Sequence, residues 1–417
     1  AHHASGKVLA IDAMTGAMVW RTTVAPPGPQ GGGPGGCSLA NIRPNLGVTG
    51  TPVIDAASKT LFVAAMTTGG KHQVHALSLE DGKAKAGWPL DVSTLKAGSI
   101  AFNSPAQHQR GALTIVNGIV YVPYGGHYGD CGDYRGWVVG VPVNDPKAPL
   151  AWATRGSAGG IWAPSGVASD GTGVFVATGN TMAAPSGSFP MFSSPANWSD
   201  GEAIIHLPGD LNFMPSNNKD FFAAENWAAL DRADYDVGGS GVVLFDVPGA
   251  TPSKLAIALG KDGSAFLANR ENLGGMGGQI SVTKVSGEQI MQSAVAYTTP
   301  TGTFVTMRAR GSMCAGGSGA LTALKITAAS PPAVTAGWCG GASTTGSPIV
   351  TSTDGMNDSV VWYVAGTKLL GLNGETGAPV FDGGSDAVTS ADKWQTPIVA
   401  KGRLYFASSN QLHAFTL

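Results

Sequence analysis

The chain has 417 residues, a formal net charge of -2, and 25 lysines and arginines that are scattered rather than clustered. Because nucleic acids are bound by clustered cations, and because no apolar run approaches the ~18 residues of a membrane span, we expect no nucleic-acid partner and no transmembrane segment. With 61 glycines, 26 prolines and only 12% charged residues, the composition favours many short strands joined by tight turns, in a single all-β domain over 1–417.

An antiparallel hairpin is predicted by the N-terminal stretch GKVLAIDAMTGAMVWRTTV. Apolar and small residues alternate over its first half, a turn follows at Thr15 and Gly16, and a second strand carries Trp20. The small Ala10 leaves room for a neighbouring ring, while Asp12 and Thr15 can bond the backbone of the turn. Gly16 accepts a positive φ, and Trp20 can span two packed sheets. One hairpin cannot bury this tryptophan alone, so we expect neighbours of the same kind.

This Ala-x-Asp-x-x-Thr-Gly-x-x-x-Trp motif resembles the tryptophan-docking repeat of quinoprotein-type (PQQ-like) β-propellers, a family that includes the PQQ alcohol dehydrogenases. The segment 371–377, followed by Phe381, repeats the frame with Asn in place of Asp and Phe in place of Trp. A looser copy over 76–88 ends on Trp88. The resemblance implies a β-propeller of four-stranded antiparallel blades over nearly the whole chain.

The strand pattern repeats at intervals of about 45 to 55 residues, close to the range of propeller blades. It predicts blades over 49–92, 111–154, 166–207, 241–285, 293–338 and 347–381. Three further strands are predicted over 396–417, whereas the opening hairpin supplies only two.

This count of strands at the two ends predicts about eight blades in the parent fold, with the N-terminal blade incomplete. A separate protein segment or chain would then complete that blade, because open sheet edges are adhesive. The alternative is that residues 6–24 rearrange to close a seven-bladed ring.

A long loop insertion is predicted at about 180–238. Its first part is rich in Pro, Ser and Gly, and its second part mixes aromatic and acidic residues. Such a segment is either a lid over a site or structural packing.

The four cysteines lack the C-x-x-C spacing of zinc knuckles and of covalent c-type haem sites. Cys314 and Cys339 flank one hairpin and can pair, while Cys37 and Cys131 both lie in Gly-rich loops and can form a second bridge. An even, unclustered set fits an exported protein, periplasmic or secreted. The alternative is a cytosolic protein with four free buried thiols.

A dense polar loop, GGHYGDCGDYRGW, carries side chains that a simple turn does not need. In a propeller such loops gather around the axis, so we expect a polar pocket there that holds a metal or an anionic cofactor. The predicted metal ligands are His127, Asp130, Asp133 and Asp236, because carboxylates suit Ca²⁺ and imidazoles suit a softer metal. The alternative is that the aspartates cap turns and the histidine fills a loop.

Three residues are candidates for binding an anionic cofactor. Arg110 and Lys261 are cations in predicted loops of this face, and Trp162, in GGIWAPSG, is the candidate ring on which a planar cofactor would stack. The resemblance implies PQQ stacked on a tryptophan and bridged by Ca²⁺, with an aspartate acting as the base toward an alcohol.

The chain departs from the dehydrogenases at one important point, because no two of its cysteines are adjacent, whereas the catalytic members carry a Cys-Cys pair over the quinone. No catalytic residue is therefore assigned. Our first hypothesis is an exported ligand-binding or protein-assembly module. The alternative is a PQQ- or metal-dependent oxidoreductase that acts on an alcohol-type substrate through a differently built site.

Overall fold

The computed structural model describes residues 2–3, 6–26, 46–183, 193–311, 313–314, 319–384, 388, 394–408 and 411–417. The chain divides into two compact units, Ala1–Gly241 and Val242–Leu417. Whether these units form the single domain expected from the sequence stays a prediction. In the described part, no helix is long and apolar enough to span a membrane.

The first unit begins with a three-stranded sheet, β1 (His2–His3), β2 (Lys7–Ile11) and β3 (Met18–Thr23). The hairpin predicted from the sequence is confirmed, but the sheet has a third strand, β1, that the sequence pattern did not predict. The segment or chain expected to complete this sheet stays a prediction.

The next sheet of the first unit has four strands in chain order: β4 (Val53–Asp55), β5 (Thr60–Met66), β6 (His72–Ser78) and β7 (Leu90–Asp91). A two-stranded ribbon follows, β8 (Lys96–Ala97) and β9 (Ile100–Ala101). The third large sheet contains β10 (Gln107–His108), β11 (Thr114–Val116), β12 (Ile119–Gly126), β13 (Trp137–Pro142) and β14 (Leu150–Ala153). Both β10 and β11 pair with the long strand β12, at its two ends.

The last large sheet of the first unit contains β16 (Ala168–Ser169), β17 (Gly173–Ala177), β19 (Ala203–Pro208) and β20 (Phe221–Ala223). A short ribbon joins β15 (Ser157–Ala158) to β18 (Thr181–Met182). One α-helix, α1 (Trp227–Ala233), and a 3-10 turn at Val237–Gly239 follow β20, and a second 3-10 turn lies at Val92–Thr94. The predicted insertion at about 180–238 is therefore not one loop, because it carries β18, β19, β20 and α1.

The second unit repeats the four-stranded pattern three times. The first of these sheets contains β21 (Val242–Asp246), β22 (Lys254–Leu259), β23 (Ser264–Asn269) and β25 (Ser281–Lys284). The second contains β26 (Val295–Thr299), β27 (Gly302–Arg308), β28 (Leu321–Ile326) and β29 (Val334–Gly340). The third contains β30 (Ile349–Thr351), β31 (Val360–Ala365), β32 (Lys368–Asn373) and β33 (Pro379–Phe381). The short strand β24 (Gly275–Met276) lies between β23 and β25 in the chain. A three-stranded sheet, β34 (Ile398–Ala400), β35 (Arg403–Ser408) and β36 (Gln411–Thr416), ends the unit.

The fold class is an all-β, seven-bladed β-propeller of antiparallel sheets. The predicted all-β propeller class is thus confirmed. The number of blades is seven, which was the alternative prediction, and not about eight. Central strands of the sheets, such as β5 and β22, are buried over almost their whole length because each sheet packs on both faces. Phe62 and Val74 pack against Val120 and Val139 of the following sheet, and Leu267 packs against Val305 in the same way in the second unit.

Tryptophans join consecutive sheets as the repeat motif predicts. The Trp20 Nε1 donates a hydrogen bond of 2.9 Å to the Leu79 carbonyl oxygen, and its ring lies over Gly82, where an added Cβ would come within 2.6 Å of it. Trp338 repeats this contact in the second unit, since its Nε1 donates to the Gly374 carbonyl oxygen at 2.8 Å. A glycine is needed beneath each indole because any side chain would occupy the space of the ring.

Candidate ligand site in the first unit

A buried glutamine fixes the polar loop that follows β12. The Gln107 Nε2 donates to the carbonyl oxygens of Gly125 at 3.2 Å and of Arg135 at 2.8 Å, and the Arg135 backbone N–H donates to the Gln107 Oε1 at 2.8 Å. The pairing of β10 with the end of β12 sets His108 beside Gly125. The segment that carries His108 and Arg110 is therefore tied to the loop of His127. No sequence signal marked Gln107, because its partners are backbone groups.

Two imidazoles are stacked inside this region. The rings of His108 and His127 are 5.2 Å apart between centroids and only 9° from parallel. Burial lowers the pKa of His127 to about 4 and holds the pKa of His108 well below its usual value. Both rings are therefore neutral at pH 7. In the described part of the chain, the buried Nε2 of His127 has no hydrogen-bond partner.

A third histidine lies next to this pair but is held by protein atoms. The Nε2 of His72 lies 2.9 Å from the Gln107 carbonyl oxygen, and its ring meets Tyr124 edge-on with 5.4 Å between centroids. Burial lowers the pKa of His72 to about 4. His72 is therefore neutral at pH 7 and packs as part of the wall of the site.

Arg110 and Trp162, both predicted to bind a cofactor, lie together. The guanidinium carbon of Arg110 is 5.3 Å from the centroid of the Trp162 ring. Burial lowers the pKa of Arg110, while Tyr134 and the carboxylates of Asp130 and Asp236 raise it, and an arginine stays cationic in any case. Among the described residues, its buried Nε finds no hydrogen-bond acceptor.

Arg155 and Trp198 form a second arginine–tryptophan pair, in which the guanidinium group also has a carboxylate partner. The guanidinium carbon of Arg155 lies 5.4 Å from the Trp198 centroid, almost the same distance. Its Nη2 is 2.6 Å from the Asp200 Oδ1, and its Nε donates to both carboxylate oxygens. Asp200 is buried, so this arginine has a structural anion. The contrast identifies Arg110 as the cation with donor capacity left for a ligand.

Glycines allow the aromatic rings of the site to approach the backbone. An added Cβ at Gly126 would lie 2.5 Å from the Tyr134 ring, and one at Gly125 would lie 3.3 Å from the Trp162 Cβ. Tyr134 is buried, and its hydroxyl donates a short hydrogen bond to the Asp130 Oδ1. Burial first, and then the neighbouring carboxylates, raise the pKa of Tyr134 well above its usual value.

The predicted acidic ligands are each hydrogen-bonded by the protein. Asp130 accepts from Tyr134, Asp133 accepts from the Ser157 hydroxyl at 2.9 Å, and Asp236 accepts from the Asn180 backbone N–H at 2.8 Å. No three His, Cys, Asp or Glu side chains of the described residues are grouped as a metal ion would require. As placed, the residues do not fit a metal ion, and the metal-ligand role of His127, Asp130, Asp133 and Asp236 stays a prediction.

Lys261 and the four cysteines complete the set of predicted residues. Lys261 belongs to the second unit, in the turn between β22 and β23. The disulfide between Cys314 and Cys339 is confirmed, with Cα atoms 6.1 Å apart. Cys131 is disulfide-bonded, whereas Cys37 lies outside the described residues. The alternative of free thiols is therefore wrong for the three described cysteines.

Solved structures share the fold at low sequence identity. The chain is similar to the quinohemoprotein alcohol dehydrogenase from Comamonas testosteroni, with a TM-score of 0.57 and 16% identity over 97% of this chain and 68% of that one. It is also similar to a quinohemoprotein alcohol dehydrogenase from Pseudomonas putida HK5, with a TM-score of 0.55 and 12% identity over 97% and 67%.

A third similar structure is a dihydro-heme d1 dehydrogenase, with a TM-score of 0.50 and 10% identity over 99% of this chain and 71% of that one. No protein-family model matches the chain, and no curated protein matches it. At these identities the likeness shows the propeller fold alone.

Proposed function

We propose that the chain binds a planar organic anion of the quinone class at Arg110 and Trp162, and that it acts as an oxidoreductase on an alcohol-type substrate. The observation that carries this proposal is the Arg110 Nε, which is buried without an acceptor among the described residues beside an indole ring. A buried cationic donor without its hydrogen bond is costly, and a ligand anion would satisfy it.

The residues around Arg110 suit a flat anionic ligand. Trp162 offers a ring for stacking, and Gly125 beside it lets the backbone come close. The stacked imidazoles are neutral at pH 7, so the positive charge offered to the anion is that of Arg110. A quinone of this kind would serve as a two-electron acceptor.

Alcohol oxidation also requires a base for the hydroxyl proton. His127 fits this role, because its ring is neutral at pH 7 and its buried Nε2 has no hydrogen-bond partner within the described ranges. The aspartates fit less well, since Asp130 and Asp133 each already accept a hydrogen bond from a side-chain hydroxyl. The chain's base would thus be an imidazole and not a carboxylate.

The fold class is consistent with this proposal, because two of the similar solved structures are quinohemoprotein alcohol dehydrogenases. Export to a periplasm or to the outside of the cell is part of the proposal, and the disulfide between Cys314 and Cys339 supports it.

A second candidate is a binding module without turnover. It is favoured by the absence of adjacent cysteines from the sequence and by the hydrogen bonds that already satisfy the predicted acidic ligands. The same anionic ligand would bind at Arg110 and Trp162, but no substrate would be oxidised.

Titration of the purified chain with PQQ, with and without Ca²⁺, tests the proposal. Tryptophan fluorescence reports binding, and reduction of an electron-accepting dye by short alcohols reports turnover. Arg110→Gln and Trp162→Phe should each weaken PQQ binding by about tenfold or more. Trp198→Phe is the matched control, because it makes the same change beneath an arginine that has its own carboxylate.

Three outcomes separate the candidates. Binding that is lost in the Arg110 and Trp162 variants and kept in the control, together with dye reduction, supports the oxidoreductase. The same binding pattern without dye reduction supports the binding module. An equal effect in all three variants, or no binding of PQQ, removes this site from consideration.

A further inference from the structure

A polar cavity in the second unit has no role in the proposed function. Its volume is about 480 Å³, and it is lined by Glu288, Arg308 and Arg310 together with small residues, among them Ala309 and Ala320. This volume lies in the range that holds an organic molecule, far above the ~30 Å³ of a single water.

The charges around this cavity are unbalanced. The Arg308 Nη2 lies 3.9 Å from one oxygen of Glu288, and the Arg310 Nε lies 3.4 Å from the other. Among the described lining residues, one carboxylate thus serves two guanidinium groups, which leaves a net positive charge at the cavity. The two arginines are separated by one residue at the end of β27 and reach the same carboxylate.

The spacing of these groups is loose compared with a closed ion pair in the same unit. The Arg270 Nη2 lies 2.8 Å from the Asp246 Oδ1, in direct hydrogen-bond contact. Neither distance to Glu288 is as short, and at 3.9 Å the Arg308 contact is not a hydrogen bond. Within the described ranges, the guanidinium donors directed at Glu288 therefore make few close hydrogen bonds to it.

Arg308 is nevertheless fixed in position. Its Nε donates to the Thr344 carbonyl oxygen at 2.8 Å, and its side chain is 25% exposed, against 70% for Arg310. A partly buried, anchored arginine and an exposed one form two sides of an anion site. Ser343 adds a hydroxyl to the lining, and Gly341 leaves backbone open to the cavity.

We propose that this cavity binds a small organic anion with a single carboxylate, held between Arg308 and Arg310. The net charge matches one carboxylate, and the volume matches a molecule larger than an inorganic anion. Glu288 competes with the ligand for both guanidinium groups, so it lowers the affinity of the site for the ligand. This site belongs to the second unit and does not depend on Arg110.

Calorimetric titration of the full chain with gluconate, lactate and benzoate tests the proposal, with neutral glucose and inorganic phosphate as comparison probes. At least one of the three carboxylates should bind saturably, and glucose should not. Arg310→Gln should weaken that binding by about tenfold, whereas Glu288→Gln should tighten it several-fold because the competing anion is removed.

The control is Lys254→Gln. Lys254 pairs with Glu271 at 2.7 Å on the surface of the same unit, and the substitution removes one positive charge just as Arg310→Gln does. It should leave the affinity within about twofold, as should Arg110→Gln.

The remaining outcomes overturn the proposal. It fails if none of the three carboxylates binds, or if phosphate binds as tightly as they do, which would make this an inorganic-anion site. It also fails if Glu288→Gln weakens binding or if Lys254→Gln acts as strongly as Arg310→Gln. Loss of PQQ binding at Arg110 would leave this result unaffected, so the two proposals fail separately.

Discussion

The ring of Trp338 lies directly over Gly377, so that a Cβ built on this glycine would come 2.7 Å from the ring. Gly377 has a φ of 71°, and Gly16, at the equivalent position of the first copy of the motif, has a φ of 72°. Apart from Gly16 and its two chain neighbours, no described residue has a heavy atom within 4 Å of a Cβ built on Gly16. The two glycines thus share a backbone conformation but differ in the indole above them.

This difference predicts unequal costs for the same substitution. Gly16→Ala should cost about 1 kcal/mol of unfolding free energy, from the positive φ alone. Gly377→Ala should cost a further 1–3 kcal/mol or so, because the indole must move. Urea denaturation followed by circular dichroism measures both. Equal losses would show that the tryptophan does not constrain the turn, and Gly402→Ala, with a φ of 70° and an open surrounding, provides a control in the second unit.

The imidazole of His127 should remain neutral to unusually low pH. Burial lowers its pKa from 6.5 to about 4, so the folded chain binds fewer protons than the unfolded chain between these values. Its contribution to stability is present above pH 6.5 and is lost as the pH falls through 4. A proton-detected NMR titration should give a midpoint near 4. A midpoint near 6.5 would contradict the buried placement.

Asp231 should change the pH dependence of stability in the direction opposite to His127. Burial raises its pKa from 3.8 to about 6, although the Thr181 backbone N–H and the Ser194 hydroxyl both bond it. The folded chain therefore holds a proton that the unfolded chain releases. This contribution to stability is complete below pH ~4 and is lost as the pH rises through about 6, to a total of about 3 kcal/mol.

The test for Asp231 is the slope of unfolding free energy between pH 4 and 6. In Asp231→Asn, the unfolding free energy should lose the decrease with rising pH that Asp231 causes. Asp210→Asn, at an exposed position, should leave the slope as it is. Identical slopes in all three proteins would show that Asp231 ionises normally.

The disulfide between Cys314 and Cys339 should contribute measurably to stability. It closes a loop with a sequence separation of 25 residues, for which restriction of the unfolded chain predicts about 3 kcal/mol. The double substitution Cys314→Ser and Cys339→Ser should lower the unfolding free energy by that order. Mass spectrometry of unreduced peptides should find the two segments linked, and finding them separate would contradict the pairing.

Local turn chemistry was predictable from the sequence because its partners are close in the chain. The Asp12 Oδ1 accepts from the Thr15 N–H at 2.7 Å and from its hydroxyl at 2.8 Å. Asn373 makes the same two bonds with Thr376, at 3.0 and 3.1 Å. The strand Thr60–Met66 likewise coincides with an apolar run and a flanking turn that are contiguous in the chain.

The composition of the candidate site was only partly predictable. The sequence indicated Arg110, Trp162 and His127 as separate candidates, and the structure brings Arg110 against Trp162 and His127 against His108. The sequence could not indicate that Lys261 lies in the other unit. Nor could it indicate that the predicted acidic ligands accept hydrogen bonds from groups of the protein.

The sequence by itself determined the all-β class and the turn motif, because turn hydrogen bonds and strand alternation act over a few residues. The tryptophan contacts reach across the chain, as from Trp20 to Leu79, and were predictable only because the motif repeats. Only the tertiary structure decided which charges are satisfied. Arg155 meets Asp200 across 45 residues, whereas Arg110 meets an indole and no acceptor for its Nε in the described ranges. Whether a buried charge has a partner depends on chain segments that are far apart in sequence. A local sequence pattern does not show which of these segments come into contact.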